Sequence, residues 1–496
     1  MKYTKILIVT ILFFFWSQIL FAGIVPLHRA ESAGIQFLKN IKPELNINSF
    51  SESFVFNENG ENVFYIFNFN SGFIIVSAES SVYPILGFSF EKPFMKINQP
   101  PAFTWWLEGY KQQIVYNIEN KVVPSKVIEL AWAKISSKNS HPKEFYETVE
   151  PLLNTTWNQG CYYNSALPVD SSGSCYHPYT GCVATALGQI LKYYNYPKTG
   201  SGSHGINTPY GWLEVSFEDT EYDWVTMENN LTENNPGVAE LLLHCVVAVN
   251  SQFLPGGTGA YEINARNALA NYFDYDEDVQ FLLRNSYPGD WEQMLRDELD
   301  QGRPVIYGGV EQSTSYGHTF ICDGYLDTAF FHINWGWGGL YNGYFYIDSL
   351  VGGNYHFDSF HDAIIGIKPN IPESLDLYPV VNLASQTEDR DVTLSWEAPT
   401  FTATLELIGY HIFRNDTLLN GSIISNLMFI DENAPPGNHE YTVRTSYIGK
   451  NMGPSATTEV YVSGVSESFT NFISVFPNPV VSQLNIQFLT SINKNL

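Results

Sequence analysis

The chemistry this chain can perform near neutral pH is most legible around Cys182, in the run Thr180-Gly181-Cys182-Val183-Ala184-Thr185-Ala186. Val183, Ala186, Leu187, Ile190, Leu191 and Tyr194 recur at three- and four-residue steps, which predicts a helix with one buried face, ended before Pro197. Cys182 then falls in the first turn. There, unpaired backbone N–H groups and the positive end of the helix dipole favour a thiolate. About 136 residues on stands His318, in Tyr316-Gly317-His318-Thr319-Phe320-Ile321, the candidate base. Asn334, in Phe331-His332-Ile333-Asn334-Trp335-Gly336-Trp337-Gly338-Gly339, is placed across a hairpin from it, where a carboxamide can accept from one imidazole nitrogen and aim the other at sulfur. Trp335 and Trp337 can shield that bond from water. The N–H of Cys182 and the side chain of Gln159, in Thr156-Trp157-Asn158-Gln159-Gly160, are the candidate oxyanion donors. Taken singly, each has a plain structural alternative: a small buried thiol, a core histidine, core tryptophans. Their conjunction is what points to nucleophilic catalysis.

The elements that must position these groups follow from periodicity and turn chemistry. Residues 24–145 read as a small α+β unit, with strand-like runs Val63 to Phe67 and Phe73 to Ser77 around a turn and a helix opened by Pro100-Pro101. The polar run Ser136 to Lys143 suits an exposed, cleavable linker. Residues 146–369 hold the cysteine helix, a second helix near Val238 to Val249, and then strands at Pro304 to Val310, His318 to Asp323, Phe330 to Trp335 and Gly343 to Ile347. Helices followed by a run of strands indicate α+β; a doubly wound parallel sheet has no room for its crossover helices. Residues 377–463, with short alternating runs and turn signals, indicate a β-sandwich resembling a fibronectin type III domain, with Trp396 and Tyr441 as core anchors.

Length allows about three domains. The 25 Lys and Arg against 51 Asp and Glu leave a formal charge of -26, which repels phosphate backbones and anionic lipid, so no nucleic-acid partner is expected. Residues 1–22 carry Lys2 and Lys5, then an apolar run from Ile6 to Leu20 and small residues at Ala22 and Gly23, the pattern of a secretory signal peptide. No integral membrane span is expected once it is removed. Five cysteines in an exported chain leave at least one thiol free. Cys161 and Cys175 can pair or stay reduced, and Cys245 and Cys322 read as core.

These motifs, in order, resemble the streptopain-like cysteine peptidases, peptidase family C10: Trp157-Asn158-Gln159-Gly160, the run 180–186, Gly317-His318-Thr319-Phe320, and Asn334-Trp335-Gly336-Trp337-Gly338-Gly339. The resemblance implies a papain-like α+β fold, with Cys182 and His318 as catalytic dyad and Asn334, Gln159 and Trp335 in support. Thr319 departs from it, since a small alanine is common after the histidine. Phe73-Ile74-Ile75-Val76-Ser77-Ala78, Pro84-Ile85-Leu86-Gly87 and Trp106-Leu107-Glu108-Gly109-Tyr110 resemble the family's inhibitory propeptide. Pro255-Gly256-Gly257-Thr258-Gly259-Ala260 resembles its glycine-rich loop at the cleft, so Gly257 and Gly259, with Gly317 and Trp337, are expected to border substrate. Ser474-Val475-Phe476-Pro477-Asn478-Pro479 resembles the opening of a type IX secretion sorting domain, in the partial segment 472–496.

The expected whole is therefore a secreted or cell-surface endopeptidase made as a zymogen, with protein or peptide substrates, its own propeptide as intramolecular inhibitor, and no cofactor or metal. A transglutaminase-like acyltransferase and a non-catalytic exported adhesin are the competing readings.

Overall fold

The computed structural model describes residues 23–97, 99–136, 148–254, 257–310, 317–327, 329–348, 350, 361–372, 374–450 and 452–463, with the backbone of 473–476 and 485–488. The signal-peptide expectation on 1–22, most of the linker expected at 136–143, Pro255, Gly256 and most of the sorting segment lie outside the described residues. The chain divides into two compact units, residues 1–96, 105–145 and 346–357 forming one, and 97–104, 146–345 and 358–496 the other.

The first unit contains α1 (Leu27–Ile41), β1 (Glu52–Glu58), β2 (Glu61–Phe69), β3 (Gly72–Ser77), β4 (Ile85–Ser89), most of α2 (Pro101–Asn120) and α3 (Lys126–Ser136). Its strands pair antiparallel in the order β1-β2-β3-β4, and the expected hairpin is β2 and β3, with Phe64 opposite Ser77 and Phe69 opposite Gly72. All six residues of β3 are buried, as an inner strand requires. Helix α1 has no counterpart among the sequence expectations. It starts after Pro26 without a side-chain cap, and is held by burying Ala30, Ala33, Gly34 and Leu38 along one stripe.

The second unit runs through β5 (Thr148–Val149), α4 (Cys182–Tyr194), β6 (Ser203–Thr208), β7 (Gly211–Ser216), α5 (Pro236–Ala248), β8 (Gln252–Leu254), β9 (Gly257–Gly259), α6 (Glu262–Tyr272), β10 (Gln280–Leu283), α7 (Trp291–Asp300), β11 (Val305–Val310), β12 (Gly317–Leu326), β13 (Phe330–Asn334), β14 (Gly343–Tyr346) and β15 (His361–Ile365). Strand order is β14-β13-β12-β11-β15-β10, with β5 added on β12. The pairings β10–β15, β11–β15, β11–β12 and β12–β13 are antiparallel, so the fold is α+β as the strand-rich second half required. Local chemistry sets the helix starts: Asn235 caps α5 by accepting from the Val238 N–H at 3.1 Å with Pro236 next, and Asp290 caps α7 from Gln293 at 2.8 Å.

Helix α4 is more deeply placed than its periodicity suggested. Every residue from Val183 to Lys192 is buried, because the core of Trp157, Leu241, Leu242, Ala265, Leu269, Ile306 and Ile321 packs around it on several sides. The helix ends at Asn195, in the left-handed region with φ 49°.

Further along, β16 (Val381–Glu388), β17 (Asp391–Glu397) and β20 (Met428–Asp431) form one sheet; β18 (Leu407–Arg414), β19 (Thr417–Leu418), β21 (Gly437–Tyr447) and β22 (Ser455–Val462) form another. Trp396 and Tyr441 lie in the shared core with Val392, Ile412 and Val443, the sandwich arrangement expected of alternating strands. The sandwich is tied to the end of α4 by the Gly449 N–H, which donates to the Tyr194 carbonyl at 3.1 Å. Near the terminus, β23 (Ile473–Phe476) pairs with β24 (Asn485–Phe488).

Candidate active site

Gly181 makes the entry to α4 possible. Its φ is +86°, and a Cβ there would stand 2.6 Å from the Thr258 carbonyl oxygen on β9, so a side chain meets both a strained backbone and a fixed neighbour. The chain thus turns sharply and delivers Cys182 as the first helical residue. The Val183 N–H faces the sulfur, as the open end of a helix allows.

The other side of the sulfur is supplied by β12. The backbone N–H of Thr319 points at the Cys182 sulfur, and the Thr319 hydroxyl lies beside it. His318 is the preceding residue, partly exposed and opposite Gly309 of β11. The fold therefore brings the thiol against the residue next to the candidate base. Burial pushes the Cys182 thiol up, and the nearby Glu262 carboxyl adds to the rise, against the N–H groups of Thr319 and Val183, which pull it down.

The Gln159 carbonyl accepts from the Thr180 N–H at 2.9 Å, which fixes that buried residue beside the turn before Cys182. Asn334 is buried, and its carboxamide is committed elsewhere than to an imidazole. It donates to the Thr155 carbonyl at 2.7 Å and to Gln189 Oε1 at 3.3 Å, and accepts from the Gly336 N–H at 3.1 Å. Backbone groups enclosed at that depth need partners, and Asn334 satisfies two of them. Trp335 is fully buried rather than at a cleft surface; its indole N–H donates to the Tyr341 carbonyl at 2.8 Å and its ring packs on Phe320 at 4.7 Å. Trp337 is half-buried, with its ring 6.3 Å from that of Tyr179. Gly257 and Gly259 flank Thr258 on β9, and a Cβ on either would meet nothing within 4 Å. Gly317 is exposed at the start of β12.

Phe103, in the stretch 97–104 that belongs to this unit, stacks on Tyr341 at 4.5 Å and meets Trp335 edge-on at 5.8 Å. Cys161 and Cys175 are joined as a disulfide, with Cα atoms 5.4 Å apart. Cys182, Cys245 and Cys322 are free, and the last two are fully buried.

Three residues near the site had no place in the sequence expectations. Gln189, two turns after Cys182, accepts from the Thr155 hydroxyl at 3.0 Å and the Trp157 N–H at 3.2 Å, linking α4 to the segment that carries Gln159. A polar residue inside an otherwise apolar helical stretch was its signal. Glu262 opens α6 and accepts from the Thr319 hydroxyl at 2.8 Å; Asp362 on β15 is buried close to it. Burial pushes both carboxyls up, Asp362 to about 8 with the charge of Glu262 contributing. Nothing in local sequence joins positions 262 and 362.

Residues 157–345 match the profile of the Peptidase C10 family, and residues 22–114 that of the Spi protease inhibitor. The chain is 30% identical over 392 residues to the thiol protease/hemagglutinin PrtT of Porphyromonas gingivalis, covering 72% of this chain but only 43% of that protein. It is 31% identical over 341 residues to streptopain of Streptococcus pyogenes, covering 62% of this chain and 80% of the relative. Among solved structures, a fragment of prointerpain A from Prevotella intermedia superposes with a TM-score of 0.52 at 32% identity, over 64% of this chain and 98% of that fragment.

Proposed function

This chain belongs to the peptidase C10 family, with an N-terminal segment of the protease-inhibitor type, and from that we propose that it is an exported cysteine endopeptidase made in latent form, with Cys182 and His318 as its dyad. The observation that carries the assignment is the approach of Thr319, the neighbour of His318, to the Cys182 sulfur at the start of α4.

In this mechanism the Cys182 sulfur, its proton taken by His318, attacks a peptide carbonyl carbon. The carbonyl electron pair moves onto oxygen, where the Cys182 N–H and the Gln159 side chain are the donors. The His318 imidazolium gives its proton to the leaving amine as the C–N bond breaks, leaving a thioester on Cys182. His318 then takes a proton from water, whose oxygen attacks the thioester, and the released sulfur recovers that proton. Asn334 and Trp335 act from behind, holding β13 and the turn after it against α4. The Spi-type segment is the intramolecular inhibitor, and Phe103, packed on Tyr341 and Trp335, is its anchor in the catalytic unit.

Replacing Cys182 by Ala, and separately His318 by Ala, should abolish casein cleavage by the full chain under reducing conditions and also stop removal of roughly the first 140 residues. Undiminished cleavage by Cys182→Ala protein would overturn the assignment.

A further inference from the structure

Cys182, Thr185 and Gln189 are spaced three and then four residues apart on α4, so they share one face of a helix otherwise built of Val, Ala, Leu, Gly and Ile as far as Leu191. Thr185 and Gln189 are fully buried. This polar stripe grips the segment 155–159 at both ends. At the near end, Gln189 Oε1 accepts from the Thr155 hydroxyl at 3.0 Å and from the Trp157 N–H at 3.2 Å. At the far end, the Gln159 carbonyl accepts from the Thr180 N–H at 2.9 Å, and the Thr180 hydroxyl lies 2.8 Å from that of Thr185. Gln189 Oε1 accepts from the Asn334 carboxamide as well, at 3.3 Å. Gly336 passes close over the stripe: a Cβ there would be 3.4 Å from Thr185 Cγ2 and 4.0 Å from Gln189 Nε2. One carboxamide oxygen thus joins the nucleophile helix to the segment that carries Gln159 and to the turn after β13.

We propose that Gln189 is a positioning residue for the oxyanion site: its carboxamide fixes the segment 155–159, and with it the Gln159 side chain, against the Cys182 end of α4 before substrate arrives. This rests on the peptidase reading above and adds how its oxyanion donors are preset. Packing alone does not call for the side chain. Gln189 Nε2 is buried without an acceptor among the described residues, and an enclosed N–H in that state costs about 1–3 kcal/mol. The oxygen is the half that the site uses, because a hydrocarbon in its place would leave the Trp157 N–H and the Thr155 hydroxyl without that acceptor. Little slack lies between this anchor and the candidate donor. Trp157 precedes Gln159 by two residues, and the Asn158 side chain between them accepts from the Gln159 N–H at 2.7 Å. A displacement at Gln189 is therefore passed on to Gln159, and a shift of about 1 Å in a catalytic group costs on the order of 100-fold in rate.

The test uses the full chain, incubated under reducing conditions until its activity is constant, with active molecules counted by a thiol-reactive peptide inhibitor. Values of kcat and KM are measured on a fluorogenic peptide that the wild type cuts. The rate of Cys182 alkylation by iodoacetamide is measured beside them, because alkylation needs the sulfur but no oxyanion donor. Gln189→Met keeps the length and removes the acceptor; kcat should fall by about tenfold or more, with KM and the alkylation rate within about twofold of wild type. Gln189→Glu retains an acceptor oxygen at the same reach and should recover most of that loss. Thr155→Val removes one bond to the same oxygen and leaves the backbone intact, so its kcat should fall between wild type and Gln189→Met. A kcat within about twofold of wild type in Gln189→Met, or in Thr155→Val where the first protein does not fold, overturns the proposal. Alkylation that falls in step with kcat overturns it too, since that marks a purely structural role. If the wild type cuts no peptide in a Cys182-dependent way, the peptidase reading itself fails, and the positioning role with it.

Discussion

The backbone N–H of Thr319 faces the sulfur of Cys182, although the two residues lie far apart in the chain. A helix start and a strand start thus converge on one atom. The same threonine hydroxyl donates to Glu262 at 2.8 Å, which couples the nucleophile to an acidic group that peptide chemistry does not itself require. The consequences for reactivity, latency and stability can each be measured.

Enclosure and the Glu262 charge hold the Cys182 thiol above the ordinary thiol range. A raised thiol means little thiolate at neutral pH, and alkylation follows the thiolate. The rate of Cys182 labelling by iodoacetamide in the unprocessed chain should therefore keep rising beyond pH 9. A plateau already reached by pH 7 would show instead that the helix terminus dominates.

Gly181→Ala places a Cβ 2.6 Å from the Thr258 carbonyl at a φ of +86°. The left-handed backbone alone costs about 1–3 kcal/mol for a non-glycine residue, and the clash adds to it. The urea midpoint should fall and casein cleavage should drop by an order of magnitude or more. Wild-type values for both would mean that the turn tolerates a side chain.

Phe103 is fully buried against Tyr341, Trp335 and Phe345. Truncating a buried phenylalanine costs about 3–5 kcal/mol of packing. Phe103→Ala should weaken the anchor of the inhibitor-type segment and shorten the lag before peptidase activity appears in freshly reduced full chain. Time courses of mass and casein cleavage measure it, and an unaltered lag would remove this residue from the latency contact.

Asp362 has its carboxyl raised to about 8, by burial first and the Glu262 charge second. A folded carboxyl that keeps a proton the unfolded chain releases contributes stability below the ordinary carboxylate range, and loses it as pH rises through about 8. Asp362→Asn should therefore gain stability relative to the wild type between pH 5 and pH 9. Melting temperatures of the two proteins at pH 5, 7 and 9 give the comparison; a constant difference would show that Asp362 is ionised throughout.

Much of this protein follows from local sequence. The turn at Gly181, the helix from Cys182 to Tyr194, the β2–β3 hairpin, the strands around His318 and Asn334, and the core roles of Trp396 and Tyr441 all rest on periodicity, glycine and proline chemistry, which act within a few residues. Nearby turn and cap residues likewise mark where α5 and α7 begin. Helix α1 escaped because its stability comes from the stripe it buries rather than from a cap.

Tertiary structure decided what depends on enclosure and on strand register. It set the direction in which the Cys182 thiol shifts, upward, because desolvation is a property of everything packed around the sulfur. It turned the Asn334 carboxamide towards Thr155 and Gly336, because buried backbone groups compete for it. It joined Cys161 to Cys175, which composition left open. And it set Asp362 beside Gly308 and Glu262, a hundred residues from the latter in sequence, since only the pairing of β11 with β12 and β15 brings those positions to one face.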